Sequence, residues 1–176
     1  ERGIKMSKIA ILGTGSWSSA LAQVLCDNGH EVLMYGIDQQ EMDDINLNHR
    51  NDKYFDVDLS PKIKATASLE ECLKGASYLL ITIPTAFVRD VLNEVKKVLD
   101  HKITIINAAK GFDNQFNLPM SATIRSVLDE SMRDEVVSII GPSHAEEVIC
   151  RMLTCVCSVS LDLEKAKEVQ HLFSNE

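Results

Sequence analysis

At 176 residues, 45% hydrophobic and 25% charged, the chain has room for one sizeable core and the composition of an ordinary globular domain. Its formal net charge is −8, and no run of Lys and Arg exceeds Lys96-Lys97, which argues against nucleic acid or an anionic membrane but not against a small anion held by backbone N–H groups. No apolar stretch approaches the ~18 residues of a membrane span, and Ile9 to Leu12 is too short for a signal-peptide core.

Strand-like and helix-like segments alternate along the chain. Glu1 to Lys5 read as a leader before a native start at Met6, so residues 1–7 are taken as leader plus strand start and 8–176 as one domain. Lys8 to Leu12 is a short apolar strand that ends in a glycine-rich turn. Ser16 to Asn28 carries Ala20, Leu21, Val24 and Leu25 at helical spacing, and Gly29 stands where a helix stop is expected. Glu31 to Tyr35 is a second strand and Gln39 to Asn48 a helix; polar residues 49–62 form a loop. Ile63 to Thr66 is a third strand. Ser68 with Glu71 then has the pattern of a capping box.

Tyr78 to Ile83 is a fourth strand, and Pro84 marks the next helix start, with Val88, Val91, Leu92, Val95 and Leu99 on one stripe. Ile103 to Ile106 is a fifth strand, Leu118 to Leu128 a helix and Val136 to Ile140 a sixth strand. A helix is expected from Ser143, with Ser143 and Glu146 as its capping box. Thr154 to Val159 alternates like a buried strand, and Leu163 to Phe173 is a helix capped by Asp162. The whole reads as an α/β, Rossmann-like, doubly wound and mostly parallel sheet in one domain, interrupted at its C-terminal end.

The five cysteines, Cys26, Cys72, Cys150, Cys155 and Cys157, are odd in number and scattered, as expected of reduced thiols in the cytoplasm. Cys155-x-Cys157 lacks the spacing and the nearby histidines of a metal site, and none is expected.

Two places carry chemistry. The first is Gly13-Thr14-Gly15-Ser16-Trp17-Ser18, between a strand and a helix. Gly13 permits the tight turn, Gly15 lets the backbone approach a pyrophosphate, and the helix start offers N–H donors to it. Ser18 stands where the fingerprint has its third glycine, so the helix is expected to sit slightly away from the sheet. At the end of the second strand Asp38 either accepts a ribose 2′-OH, which favours NAD, or serves as a turn or helix cap. No Arg stands there for a 2′-phosphate.

The second place gathers three strand ends: Ile83-Pro84-Thr85, Asn107-Ala108-Ala109-Lys110-Gly111, and Gly141-Pro142-Ser143-His144. Lys110 suits a phosphate or a developing oxyanion, or is an exposed turn lysine. His144 is an acid/base group or a bystander beside a helix start.

With these residues in view, the chain resembles the NAD(P)-dependent glycerol-3-phosphate dehydrogenase family. The resemblance rests on Ile11 to Trp17 running to Ala20-Leu21-Ala22, on Asn28-Gly29-His30-Glu31-Val32, on Ala109-Lys110-Gly111, and on Gly141-Pro142-Ser143-His144-Ala145-Glu146-Glu147. It implies that Gly13, Gly15, Ser16, Trp17, Asp38, Tyr54 (or Phe55), Lys110 and Ala145 meet the cofactor. Lys110, Gly141 and Ser143 would meet a small phosphate substrate. It further implies reversible hydride transfer between sn-glycerol 3-phosphate and dihydroxyacetone phosphate, a place in glycerophospholipid synthesis, and an acid/base lysine in a helical C-terminal domain beyond residue 176. The chain alone would then bind NAD and turn over little, with no catalytic residue of its own. Three positions depart from the family: Ser18, Ile37 where NADP users carry a basic residue, and His144 in place of Phe. NADP as cofactor and a homodimer of the full-length protein stay open. So do two other readings, a non-catalytic NAD-binding module and the cofactor domain of another hydroxyacid-type dehydrogenase.

Overall fold

A computed structural model of the chain describes residues 6–175; Glu1 to Lys5, read above as a leader, lie outside the described residues. The elements follow in order β1 (Lys8–Leu12), α1 (Ser16–Asp27), β2 (Glu31–Tyr35), α2 (Gln39–Asp43), β3 (Ile63–Thr66), α3 (Leu69–Leu73), β4 (Tyr78–Ile81), α4 (Thr85–Val98) and β5 (Thr104–Asn107). A two-stranded hairpin, β6 (Phe112–Asp113) and β7 (Leu118–Pro119), precedes α5 (Met120–Val127). Then come β8 (Val137–Ile140), α6 (Ala145–Ile149), β9 (Cys157–Val159) and α7 (Leu163–Phe173).

The main sheet has seven strands in the order β3-β2-β1-β4-β5-β8-β9. Every pairing from β3 to β8 is parallel, and β9 alone runs antiparallel, on β8. The chain winds outward from β1 to β3, then returns to the other side of β1 through β4. The strand order therefore reverses between β1 and β4, which is where open α/β sheets bind ligands.

The central strands read as continuous apolar runs because both of their faces are covered. Ile9 and Ile11 pack with Ala20, Leu21 and Leu25 of α1, Val148 of α6 and Val169 of α7. Ala10 and Leu12, pointing the other way, pack with Leu73 of α3, Val88, Leu92 and Val95 of α4, and Ile124 of α5. Each such fully buried Ile or Leu contributes about 1.5–3 kcal/mol. The stripe expected on α4 is the buried one.

Local chemistry sets the element ends. Gly29 takes φ +86°, a left-handed stop after α1. Asp162 caps α7 by accepting from the Glu164 and Lys165 N–H groups. Ser68 caps α3 through the Glu71 N–H, but the Glu71 carboxylate accepts from the Thr66 hydroxyl, so the capping box is half formed. The helix expected to run unbroken to Asn48 loosens into a π-helical turn over Asp44–Asn48 and ends at His49 with φ 54°.

Three expectations are corrected. The Ser143–Glu146 capping box is not formed: α6 starts at Ala145 with His144 as its N-cap. The Gly141-Pro142 turn carries the chain one residue further, and the Ser143 hydroxyl faces the Gly141 carbonyl, at 3.5 Å, rather than the start of α6. The strand expected over Thr154 to Val159 forms only at Cys157–Val159, and Cys155 and Cys157 are exposed rather than buried. β9 lies at the end of the sheet and pairs with β8, so alternation there does not mean cover on both faces. Leu118 and Pro119, assigned to a helix, form β7 instead. Asp113 builds this hairpin by accepting from the Gln115 and Phe116 N–H groups and the Thr123 hydroxyl.

Candidate functional site

The crevice opens at the carboxyl ends of β1 and β4, where the Gly13–Gly15 turn leads into α1. The Gly13 N–H donates to the Tyr35 carbonyl at 2.8 Å, and Gly13 holds φ +120°. A Cβ on Gly13 would stand 2.7 Å from Ser18 Oγ, so any other residue would be both strained and crowded. Gly15 differs. Its φ is −74°, and a Cβ there would meet only the Tyr54 hydroxyl, at 3.9 Å. Gly15 thus keeps open the space above the turn, a cradle that a side chain would fill and that suits a pyrophosphate. Ser16 is the first residue of α1, whose N-cap, Gly15, carries no side chain to satisfy the helix's N–H donors. The twelve-residue α1 aims them, and its partial positive charge, at this opening.

Ser18 does not leave its hydroxyl idle. Ser18 is 2% exposed and lies 2.6 Å from Thr82 Oγ1, which in turn donates to the Leu12 carbonyl at 2.7 Å. The third position of the motif is therefore bonded to the end of β4, and Thr82 marks where that strand stops.

A network that the sequence did not disclose braces the turn. The Thr14 hydroxyl donates to Glu41 Oε2 at 2.6 Å, while Lys53 Nζ and the Tyr54 hydroxyl reach Glu41 Oε1 at 2.6 and 2.9 Å. Asn51 Nδ2 donates to the Thr14 carbonyl at 2.8 Å and to Ser19 Oγ at 2.9 Å. The polar 49–62 segment is thereby fastened to the turn, which places Tyr54 over Gly15. Phe55, the other aromatic at this place, is in the core. Burial opposes ionisation of Glu41, yet hydrogen bonds from Lys53, Thr14 and Tyr54 outweigh it and hold the carboxyl below its ordinary range. Glu41 and Asn51 could be found in the sequence only as polar residues near the second strand, with no spacing motif.

Asp38 caps α2: its Oδ1 accepts from the Gln40 N–H at 2.9 Å and the Glu41 N–H at 3.3 Å. Its Oδ2 lies 3.3 Å from Lys53 Nζ. The helix-cap alternative is thus realised, and both carboxylate oxygens are engaged. Ile37, beside it, is 90% exposed.

The second cluster assembles from three strand ends. Lys110 Nζ donates to the Ser143 carbonyl at 2.6 Å and lies 4.7 Å from the centre of the Trp17 ring. Trp17 Nε1 donates to the Ala108 carbonyl at 3.1 Å. The glycine turn, the β5 end and the β8 end are therefore one site. Gly111, at φ +123°, supplies the turn after Lys110. Gly141 passes close to the Cys155 carbonyl, 2.8 Å from where its Cβ would lie. Ser143 is buried, with its hydroxyl 3.5 Å from the Gly141 carbonyl. The Ala145 side chain is buried in the core cluster that α1 shares. His144 is exposed and its ring makes no capping bond.

Known proteins resemble this chain over nearly its whole length. The sequence model of the NAD-dependent glycerol-3-phosphate dehydrogenase N-terminus matches residues 8–166. The chain belongs to that family. It is 47% identical over 169 residues to a glycerol-3-phosphate dehydrogenase [NAD(P)+] of Streptococcus uberis, covering 96% of this chain and 50% of that protein. To the enzyme of the same name from Streptococcus thermophilus it is 44% identical over 173 residues, 98% of this chain and 51% of the relative. Among solved structures, a glycerol-3-phosphate dehydrogenase from Coxiella burnetii superposes with a TM-score of 0.88 at 27% identity, covering 97% of this chain and 52% of that one. One from Plasmodium falciparum gives 0.85 at 27% identity, covering 97% and 50%. The chain spans about half the length of the curated relatives it matches. It is the NAD(P)-binding N-terminal part of this family, with a Rossmann-like sheet. No helix among the described residues is long and apolar enough to cross a membrane.

Proposed function

We propose that the chain forms the cofactor-binding half of an enzyme that interconverts sn-glycerol 3-phosphate and dihydroxyacetone phosphate in the cytoplasm, feeding glycerophospholipid synthesis. The observation that carries this reading is the convergence of Lys110 on Trp17 and Ser143, beside the open cradle of Gly15. The Gly13–Gly15 turn and the α1 N-terminus would hold the pyrophosphate of a dinucleotide, and Tyr54 and Asp38 would be among the residues that hold the rest of it. Ser16 and Trp17 would flank the pyrophosphate, and Ala145 would border the cofactor side.

Reduction of the ketone needs a hydride at its carbon and a proton at its oxygen. The dinucleotide supplies the hydride when bound. Lys110, with Gly141 and Ser143 beside it, holds the phosphate-bearing substrate and stabilises negative charge growing on its oxygen. The proton comes from the lysine that the family resemblance places outside residues 1–176, and no side chain in this chain is assigned that role. A homodimer of the whole enzyme belongs to the same proposal.

Calorimetric titration of the chain with NADH and NADPH at fixed salt tests the cofactor half. Saturable binding of either supports it, and binding of neither removes it. NADH binding about tenfold tighter, roughly 1.4 kcal/mol, would make Asp38 and Ile37 the marks of an NAD user.

A further inference from the structure

The hairpin that follows Lys110 has no apolar core of its own. Phe112 and Phe116 are 62% and 52% exposed, and among the described residues from 109 to 119 Asp113 alone is buried. A two-stranded hairpin is marginal without cover, and what holds this one is a carboxylate. Asp113 Oδ1 accepts from the Gln115 and Phe116 N–H groups at 3.0 and 3.3 Å and so shapes the turn. Its Oδ2 accepts from Arg89 Nη2 of α4 and from the Thr123 hydroxyl of α5, both at 2.9 Å. Those partners stand on helices packed against the sheet: Thr123 is fully buried, and Arg89 follows the buried Val88. The Arg89 guanidinium also lies 4.4 Å from the centre of the Phe116 ring.

Lys110 stands between two anchors. Upstream, the Ala108 N–H donates to the Ile81 carbonyl at 2.9 Å and the Ala109 N–H to Asn107 Oδ1 at 3.3 Å. Downstream, the next fixed point is Asp113, three residues on. Gly111 lies between at φ +123°, with no side chain to direct the backbone. The Lys110 side chain is exposed and rides on a flexible four-carbon stem. Its ammonium nevertheless meets the Ser143 carbonyl and the Trp17 ring together. Where that ammonium stands depends on where Asp113 holds the backbone.

We propose that Asp113 is a positioning residue: bonded to Arg89 and Thr123, it sets the backbone from which Lys110 reaches Ser143 and Trp17, and through Lys110 it governs dinucleotide affinity. Asp113 itself is assigned no contact with cofactor or substrate. The effect on affinity rests on reading the crevice as a dinucleotide site, whereas the placement of Lys110 against Trp17 can be read without any ligand.

The test uses Asp113→Asn, which keeps one oxygen for the Gln115 and Phe116 N–H groups but sets an amide donor against the Arg89 and Thr123 donors. With a single tryptophan in the chain, the emission of the unliganded protein reports on the surroundings of Trp17. Emission is compared for wild type, Asp113→Asn, Lys110→Met and the double variant. Asp113→Asn should move it toward that of Lys110→Met, and the double variant should match Lys110→Met alone. In calorimetric titration with NADH, Asp113→Asn should lose about fivefold or more in affinity from wild type, and less than about twofold on top of Lys110→Met. Three results overturn the proposal: Trp17 emission equal to wild type, an NADH affinity within about twofold of wild type, or an equal loss in both backgrounds, as a merely structural role would give. If a thermal melt shows Asp113→Asn unfolded, Arg89→Met takes its place under the same criteria, since it removes the α4 partner and leaves the bonds within the hairpin. Wild type that binds neither NADH nor NADPH removes the dinucleotide reading, and the emission comparison then decides by itself whether Asp113 places Lys110.

Discussion

The Lys110 ammonium donates a 2.6 Å hydrogen bond to the Ser143 carbonyl, joining the end of β5 to the turn after β8. The same ammonium lies 4.7 Å from the Trp17 ring, at the first turn of α1. Lys110→Met should therefore leave the far-ultraviolet circular dichroism unchanged and lower dinucleotide affinity about tenfold. Trp17 is the one tryptophan of the chain, so its emission reports on the change directly. An affinity equal to wild type would leave Lys110 as an exposed turn lysine.

The two glycines of the turn should separate stability from binding. Gly13→Ala puts a Cβ at φ +120° and 2.7 Å from Ser18 Oγ, and should cost at least about 1–3 kcal/mol of stability. Gly15→Ala meets open space, so its melting curve should stay within about 0.5 kcal/mol of wild type while dinucleotide binding is lost. If Gly15→Ala binds NADH normally, the cradle is not where the pyrophosphate lies.

Ser18→Ala removes the bond to Thr82 and should cost about 1 kcal/mol in chemical denaturation. Ser18→Gly adds the backbone cost of a helical glycine, about another 1 kcal/mol. A gain in stability for Ser18→Gly would show that the hydroxyl crowds the helix rather than anchoring it.

His30 should make stability depend on pH. It is 3% exposed; its Nδ1 accepts from the Ser7 N–H at 3.3 Å, and its Nε2 has no hydrogen-bond partner among the described residues. Accepting at Nδ1 requires the neutral ring, and burial pushes the imidazole below its ordinary 6.5. Because the folded value is depressed, this contribution is present above pH 6.5 and is lost as pH falls through the folded value. Melting temperature should drop between about pH 7 and pH 5, and His30→Gln should flatten that part of the curve. The same slope in the variant would assign it to other groups.

Most of the alternating β and α pattern was legible because hydrophobic period and end signals agree. Strands such as Leu79 to Ile81 are apolar throughout since both faces are covered, and Gly29 and Asp162 carry their helix-end chemistry in their own residue types. Reading failed where the outcome depended on more than local spacing. Ser143 and Glu146 have the spacing of a capping box, but the turn makes His144 the N-cap and leaves the Ser143 hydroxyl facing the Gly141 carbonyl. Thr154 to Val159 alternate like a covered strand, yet only Cys157–Val159 join the sheet, as its end strand.

By itself the sequence determined the parallel sheet, the glycine turn and the family, since these rest on local spacing and on short motifs kept in order. Tertiary structure alone decided what stands around the turn. Glu41 touches Thr14 across 27 residues, Asn51 reaches the Thr14 carbonyl across 37, and Trp17 reaches Ala108 across 91. Such contacts leave no local period, because they form only when the sheet order β3-β2-β1-β4-β5 brings separate strand ends to one edge.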